Sequence, residues 1–136
     1  MSKVLLVEDD PTNRLVFKRV LTKLGKLEVH CTDDVAEVLD TAHSGQVDLI
    51  LMDVGLPNSY HQGQPTNGLQ ITQILKADPE TAHLPVILVT AFTMPGDREK
   101  FLKTSGADGY IPKPIIDHQA FVEEVVTFLA AAQNVG

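Results

Sequence analysis

The chain has 136 residues with 11 basic and 18 acidic side chains, a formal charge of −7 at neutral pH. That length suits one domain and is too short for two with full cores, while 43% apolar residues exclude wholesale disorder. The acidic balance and absence of Trp argue against a nucleic-acid binder, which needs cations for phosphates and rings for bases. No apolar run approaches the ~20 residues of a membrane span, and the start Met-Ser-Lys-Val lacks a signal peptide. A cytoplasmic location with no membrane contact is therefore expected. One cysteine, Cys31, rules out an intrachain disulfide and a cysteine-rich zinc site, and reads as a buried structural thiol.

Lys3–Glu8 is an apolar run closed by acids, the pattern of a strand buried on both faces. Asp10 and Pro11 suit the cap and first position of a helix. Val16, Phe17, Val20, Leu21 and Leu24 then recur at helical spacing, and Gly25 ends the run. Leu27–Cys31 reads as a second strand. Thr32 or Asp33 can cap a second helix with Val35, Val38, Leu39 and Ala42 on one face. Val47–Met52 is the strongest strand and ends at Asp53. A third helix is predicted over Asn67–Ala77, a fourth strand over Pro85–Thr90, a fourth helix over Pro95–Ser105 and a fifth strand over Asp108–Pro112. Asp117 caps a last helix with Phe121, Val122, Val125, Phe128 and Leu129 facing inward.

Strands without a polar face, alternating with helices, predict an α/β fold. The expected architecture is a five-stranded parallel sheet, doubly wound as (βα)5 and flavodoxin-like, with residues 1–136 forming a single domain. Ligands of such sheets bind beyond the carboxyl ends of the strands. Those ends carry Glu8-Asp9-Asp10, Asp53, Thr90 and Lys113. Each has a plain structural role open to it: a helix cap for the acids, a strand residue for Thr90, a solvated lysine for Lys113. Together they propose a site of two or three carboxylates, a hydroxyl and an ammonium, suited to a hard divalent ion. The five histidines are scattered without HxxxH or HExxH spacing and read as surface or boundary residues, so no softer metal site is expected.

The sequence resembles a response-regulator receiver domain, of the chemotaxis-receiver, single-domain type. The resemblance runs from Lys3 to about Leu129. It rests on Val-Leu-Leu-Val-Glu-Asp-Asp at 4–10, Leu-Ile-Leu-Met-Asp at 49–53, Leu-Pro at 56–57, Asn-Gly at 67–68, Val-Thr-Ala at 89–91, Gly-Ala-Asp-Gly-Tyr at 106–110 and Lys-Pro at 113–114. It implies that Asp53 accepts a phosphoryl group from a histidine kinase or histidine phosphotransfer protein. Glu8 and Asp9 would hold Mg²⁺, for which Mn²⁺ could substitute, with Asp9 the more direct ligand and Glu8 acting directly or through water. The Gly55 backbone carbonyl would be a further ligand. Thr90 and Lys113 would meet the phosphoryl oxygens. Tyr110 would turn inward with Thr90, changing the face of the fourth helix, fifth strand and fifth helix that binds a protein effector. Lys113-Pro114 is often cis in this family, which sequence cannot show.

The segment 58–67 is longer than the usual family spacing by roughly seven residues and reads as a polar surface loop near the site, with a role in partner choice or shielding as the alternative. Gly55 has no side chain to orient an attacking water, and Phe92 is bulky and apolar. Both predict slow loss of the phosphoryl group, on the order of hours rather than seconds. A single receiver domain without an output domain is the expectation, with output through protein contacts if the chain is complete and phosphorylation-dependent dimerisation left open. The chain is not expected to be an enzyme beyond its own phosphorylation and dephosphorylation: the second Asp of a dehalogenase-type phosphatase is replaced by Gly55. A scaffold that binds a partner without phosphorylation and a receiver excised from a hybrid histidine kinase are the alternatives.

Overall fold

A computed structural model describes residues 2–55, 60–61, 63–91 and 94–133. The elements follow in the order β1 (Lys3–Val7), α1 (Pro11–Gly25), β2 (Glu28–Thr32), α2 (Val35–Ser44), β3 (Leu49–Asp53), β4 (Tyr60–His61), β5 (Gln64–Pro65), α3 (Gly68–Ala77), β6 (Val86–Thr90), α4 (Asp97–Ser105), β7 (Gly109–Pro112) and α5 (His118–Gln133). Five strands form one sheet in the order β2-β1-β3-β6-β7, and every pair within it is parallel. The predicted fold class is therefore the observed one. The strand order reverses between β1 and β3, and this places a crevice beyond their carboxyl ends.

Each central strand feeds two cores. Val4 and Leu6 join Leu49, Leu51, Ile87 and Val89 beneath α1 and α5, with Phe17, Leu21, Phe121 and Val125. Leu5 and Val7 join Ile50, Met52, Val86 and Leu88 beneath α2 and α3, with Val38, Ile71 and Leu75. Alternate side chains point to opposite faces of a strand, so a strand buried on both sides must be apolar throughout. β3 and β6 are buried at every position. β2 lies at the sheet edge, and this leaves Cys31 half-buried rather than buried as expected.

Helix starts follow local chemistry. Asp10 Oδ1 accepts from Thr12 N–H at 2.8 Å, and Pro11 opens α1, which separates Asp10 from its acidic neighbours. Asn67 and Gln70 exchange side chain-to-backbone bonds of 3.0 and 2.9 Å and form a capping box for α3.

Several boundaries differ from the sequence reading. The N-cap of α2 is Asp34, neither Thr32 nor Asp33. Thr32 Oγ1 instead accepts from Asp34 N–H and donates to Glu37 Oε2. α4 begins at Asp97 rather than Pro95, because Gly96 takes a left-handed φ of 87° that breaks the helical path. The left-handed residue ending α1 is Lys26, not Gly25. Gly25 lacks a side chain for a different reason: a Cβ there would stand 3.1 Å from Val122 Cγ1 of α5.

Part of the segment expected as an open loop is an antiparallel hairpin, β4 with β5, in which Tyr60 pairs with Pro65 and His61 with Gln64. Residues 58–59 and 62 of that segment lie outside the described residues, as does Phe92. Among the described residues no helix is long and apolar enough to cross a membrane.

Candidate phosphoacceptor and metal site

The carboxyl ends of β1, β3, β6 and β7 bring Glu8, Asp53, Thr90 and Lys113 to one edge of the sheet. Lys113 follows β7 and its Nζ lies 3.0 Å from Glu8 Oε1 and 3.5 Å from Asp53 Oδ1. The peptide joining Lys113 to Pro114 is cis, and Lys113 N–H donates to the Thr90 carbonyl at 2.8 Å, so the lysine is tied to the strand that carries Thr90. Glu8, Asp53 and Thr90 are all buried. Asp53 Oδ1 also accepts from Gly55 N–H at 3.2 Å.

Glu8 is held from several sides. Its Oε2 accepts from Asp10 N–H at 3.2 Å, and its Oε1 accepts from Asn13 Nδ2 at 3.3 Å as well as from Lys113. Arg14 Nε donates to the Glu8 carbonyl, and its guanidinium reaches Asp33 at 3.3 Å. Asn13 and Arg14 were absent from the sequence reading. The available signal was their place in the first turn of α1, directly after the acids, where a helix returns side chains toward its own start.

The electrostatics are those of three acids sharing one ammonium. Burial pushes the Asp53 carboxyl up, the neighbouring Glu8 adds to this, and Lys113 and the Gly55 N–H only partly oppose it; the result is about 7. Burial also acts on Glu8, but hydrogen bonds from Asp53, Lys113 and Asp10 outweigh it and hold Glu8 below the usual carboxylate range. Asp9 is raised by burial and by the charges of Glu8 and Asp33. A cation is the natural complement. Ligand oxygens of Glu8, Asp9 and Asp53 all lie within 4.8 Å of one another. Bonds of about 2.1 Å in an octahedron put ligand atoms about 3 to 4 Å apart, so the donor set fits Mg²⁺ in both chemistry and size.

Gly68 completes the site from below. Its N–H donates to the Val54 carbonyl at 3.0 Å. A Cβ at Gly68 would stand 2.0 Å from the Asp53 carbonyl oxygen. This contact is with backbone, so no rotamer change relieves it. Gly68→Ala is expected to cost about 3 kcal/mol in urea unfolding and to weaken Mg²⁺ binding by displacing Asp53. A variant with wild-type stability would refute the close approach.

Tyr110 lies half-buried on β7 with its ring 6.4 Å from that of Phe101 on α4. Burial raises its hydroxyl, as do Asp97 and Glu99 at the start of α4. Tyr110 thus joins β7 to α4. Glu8, Asp9, Asp53, Thr90 and Lys113 therefore meet at this edge, and Tyr110 lies on the element beside it.

A fold of this order, with acids and a lysine gathered at the strand ends, matches the response regulator receiver domain over residues 4–126, and the chain belongs to that family. It is a receiver domain of the two-component, phosphorelay class. It is 39% identical over 129 residues to the polar-differentiation response regulator DivK of Brucella anthropi, covering 95% of this chain and 97% of that one. Among solved structures it is similar to the receiver domain of the sensor histidine kinase PA1611 from Pseudomonas aeruginosa. That match has a TM-score of 0.73 and 30% identity over 96% of this chain and 95% of that one, and the neighbour has a magnesium ion coordinated in its active site cleft. It is also similar to the receiver domain of a signal transduction histidine kinase from Syntrophus aciditrophicus, with a TM-score of 0.81 and 26% identity over 100% and 96% of the two chains.

Proposed function

We propose that the protein is a phosphorelay switch in which Asp53 accepts a phosphoryl group from a histidine kinase or histidine phosphotransfer protein. The observation that carries this reading is the gathering of Lys113 and the ligand oxygens of Glu8 and Asp9 around one buried carboxylate at the end of β3. A carboxylate oxygen of Asp53 attacks the phosphorus of a phosphohistidine, the P–N bond breaks with its electron pair returning to the imidazole, and an acyl phosphate forms on Asp53. Charge spreads over the phosphoryl oxygens during such a transfer, so the protein contributes mainly position and electrostatics. Mg²⁺, when bound, neutralises the crowded acids and screens the incoming oxygens. Asp9, Asp53 and the Gly55 carbonyl would hold it, with Glu8 acting directly or through water; Mn²⁺, which takes the same donors, would serve in its place. Lys113 lies beside Asp53 and would meet one phosphoryl oxygen as a point charge. Thr90 would meet another.

The output follows from the second half of the sheet. Thr90 moving toward the phosphoryl group leaves room for Tyr110 to turn inward, and its contact with Phe101 passes the change to α4. The α4-β7-α5 face then binds a protein effector, or a second copy of the chain, in the cytoplasm. The protein acts only on itself and turns over no external substrate. Gly55 offers no side chain to align a water, so the acyl phosphate persists for hours rather than seconds. A half-life of a few seconds would contradict that.

The test is intact mass after incubation with acetyl phosphate and Mg²⁺. The expected result is a gain of one phosphoryl group, absent without Mg²⁺ and absent in Asp53→Ala. No gain from acetyl phosphate or from a phosphorylated phosphotransfer protein, together with no Mg²⁺ binding, would leave a scaffold that binds partners unphosphorylated.

A further inference from the structure

Glu8 stands where the β1–β2 ladder ends. A parallel ladder advances by alternate residues on each strand. Glu28 N–H donates to the Ser2 carbonyl at its start, and Glu8 N–H donates to the Thr32 carbonyl at its end, each at 3.0 Å. With Val7 opposite Thr32, the next rung would run from Asp34 N–H to the Glu8 carbonyl. Asp34 N–H turns elsewhere: it donates to Thr32 Oγ1 at 3.1 Å, in the local turn that leads into α2. The Glu8 carbonyl thereby loses its backbone donor on a residue that is 1% exposed, where an unpaired acceptor is costly.

Arg14 supplies the donor. Its Nε donates to the Glu8 carbonyl, and its Nη2 stands 3.3 Å from Asp33 Oδ1. Glu8 follows β1 and Asp33 follows β2, so one planar guanidinium bridges the two strand ends in place of the missing rung. The consequence falls on Asp9. The Glu8 carbonyl and the Asp9 N–H belong to one rigid peptide plane, and holding the carbonyl fixes the direction in which Asp9 leaves the sheet. A rung from Asp34 would carry the sheet bonding past Glu8. The side chain that replaces it lets the chain turn at Asp9 toward the cap of α1. A carboxylate oxygen of Asp9 then lies within 4.8 Å of those of Glu8 and Asp53. Lysine does not reproduce this bridge, because a single nitrogen on a flexible stem lacks the fixed fork of donors.

We propose that Arg14 is a positioning residue for the Mg²⁺ site: it closes the β1–β2 ladder with a side chain and so sets the peptide from which Asp9 presents its carboxylate. The inference rests on the reading of Glu8, Asp9 and Asp53 as the acids that receive Mg²⁺. It gives Arg14 an effect opposite in sign to that of its charge. A cation beside a metal site repels the metal, so removing it for its charge alone strengthens Mg²⁺ binding, whereas removing the bridge weakens it.

The test is titration of the full chain with MgCl₂, followed by amide chemical shifts in nuclear magnetic resonance, for the parent, Arg14→Lys and Arg14→Met. The expected result is a dissociation constant for Mg²⁺ raised about tenfold in both variants, although one keeps the positive charge and the other loses it. Labelling by acetyl phosphate should slow in both at limiting Mg²⁺ and recover at saturating Mg²⁺. Far-ultraviolet circular dichroism and urea unfolding check that each variant is folded. An unchanged constant in Arg14→Lys or tighter binding in Arg14→Met would overturn the proposal, since Arg14 would then act through charge alone. Lower stability with an unchanged constant in both would also overturn it and leave Arg14 as a brace of the fold. A parent that binds no Mg²⁺ would overturn the metal reading itself and this inference with it.

Discussion

Lys113→Met is expected to destabilise the protein by about 3 kcal/mol in urea unfolding with a chelator present, and to slow labelling by acetyl phosphate by about a hundredfold. Methionine keeps most of the apolar stem that lysine packs, so the change isolates the ammonium. That ammonium is the cation between Glu8 and Asp53, and both acids are buried. Without it the two carboxylates face each other and retain a proton to higher pH. The folded variant then binds more protons than the unfolded chain, so its stability falls as pH rises. The penalty is therefore small in mild acid, where a proton takes the place of the ammonium. It grows as pH rises beyond the value near 7 that Asp53 holds in the parent, where the parent's carboxylate is ionised and the variant's still holds its proton. Mg²⁺ restores part of the lost stability, because it supplies positive charge to the same oxygens. A loss that does not vary with pH would mean that Lys113 contributes packing rather than charge.

The strand ends were readable because the period of the sequence is enough to locate them. A continuous apolar run must be buried on both faces, and the first charged residue after it must leave the sheet. Glu8, Asp53 and Lys113 were found in this way, and parallel connection then puts them on one edge without knowledge of the strand order. Gly68 shows where that reasoning stops. The pair Asn67-Gly68 was visible as a motif, but the reason for the glycine is an approach to the Asp53 carbonyl. That approach depends on how the start of α3 lies against the end of β3, which no local pattern encodes.

The contact of His43 with Asp78 is the same lesson at longer range: His43 is a surface residue, as its sequence suggests, but the partner of its imidazole is 35 residues away and no local spacing points to it. They meet because α2 and the α3–β6 turn close the same edge of the sheet. The hairpin of β4 and β5 was missed for another reason. Two-residue strands are too short for alternation to register, and Gly63, with φ of 79°, reads equally well in any loop. The start of α4 was misplaced because Pro95 is a good first helical residue in isolation. The left-handed turn at Gly96 that overrides it is a property of the backbone.

Asp53→Asn is expected to raise stability by about 2 kcal/mol at pH 8 in a chelator, and to abolish most of the stabilisation that Mg²⁺ gives the parent. In the folded parent the Asp53 carboxyl is pushed from 3.8 up to about 7 by burial and by Glu8. The unfolded chain releases that proton near 3.8 and the folded chain only near 7. Between those values the folded state binds the extra proton, so the parent loses stability as pH rises through the window and keeps the full cost above it. A shift of this size alone would correspond to about 4 kcal/mol. Glu8, held below its usual range by hydrogen bonds that include one from Asp53, offsets part of this. Asparagine is neutral at every pH and still offers an oxygen to the Gly55 N–H, so it escapes the cost. The advantage of Asp53→Asn should therefore vanish toward pH 4 and grow to a rise in Tm of about 5–8 °C at pH 8. Adding Mg²⁺ should reverse the order. The parent gains because an ion that binds only the folded state must stabilise it, and the variant gains little because a charged ligand is gone. A parent more stable than Asp53→Asn at pH 8 without any divalent ion would show that the acids are already neutralised from within. Mg²⁺ would then not be the charge that this site is built to receive.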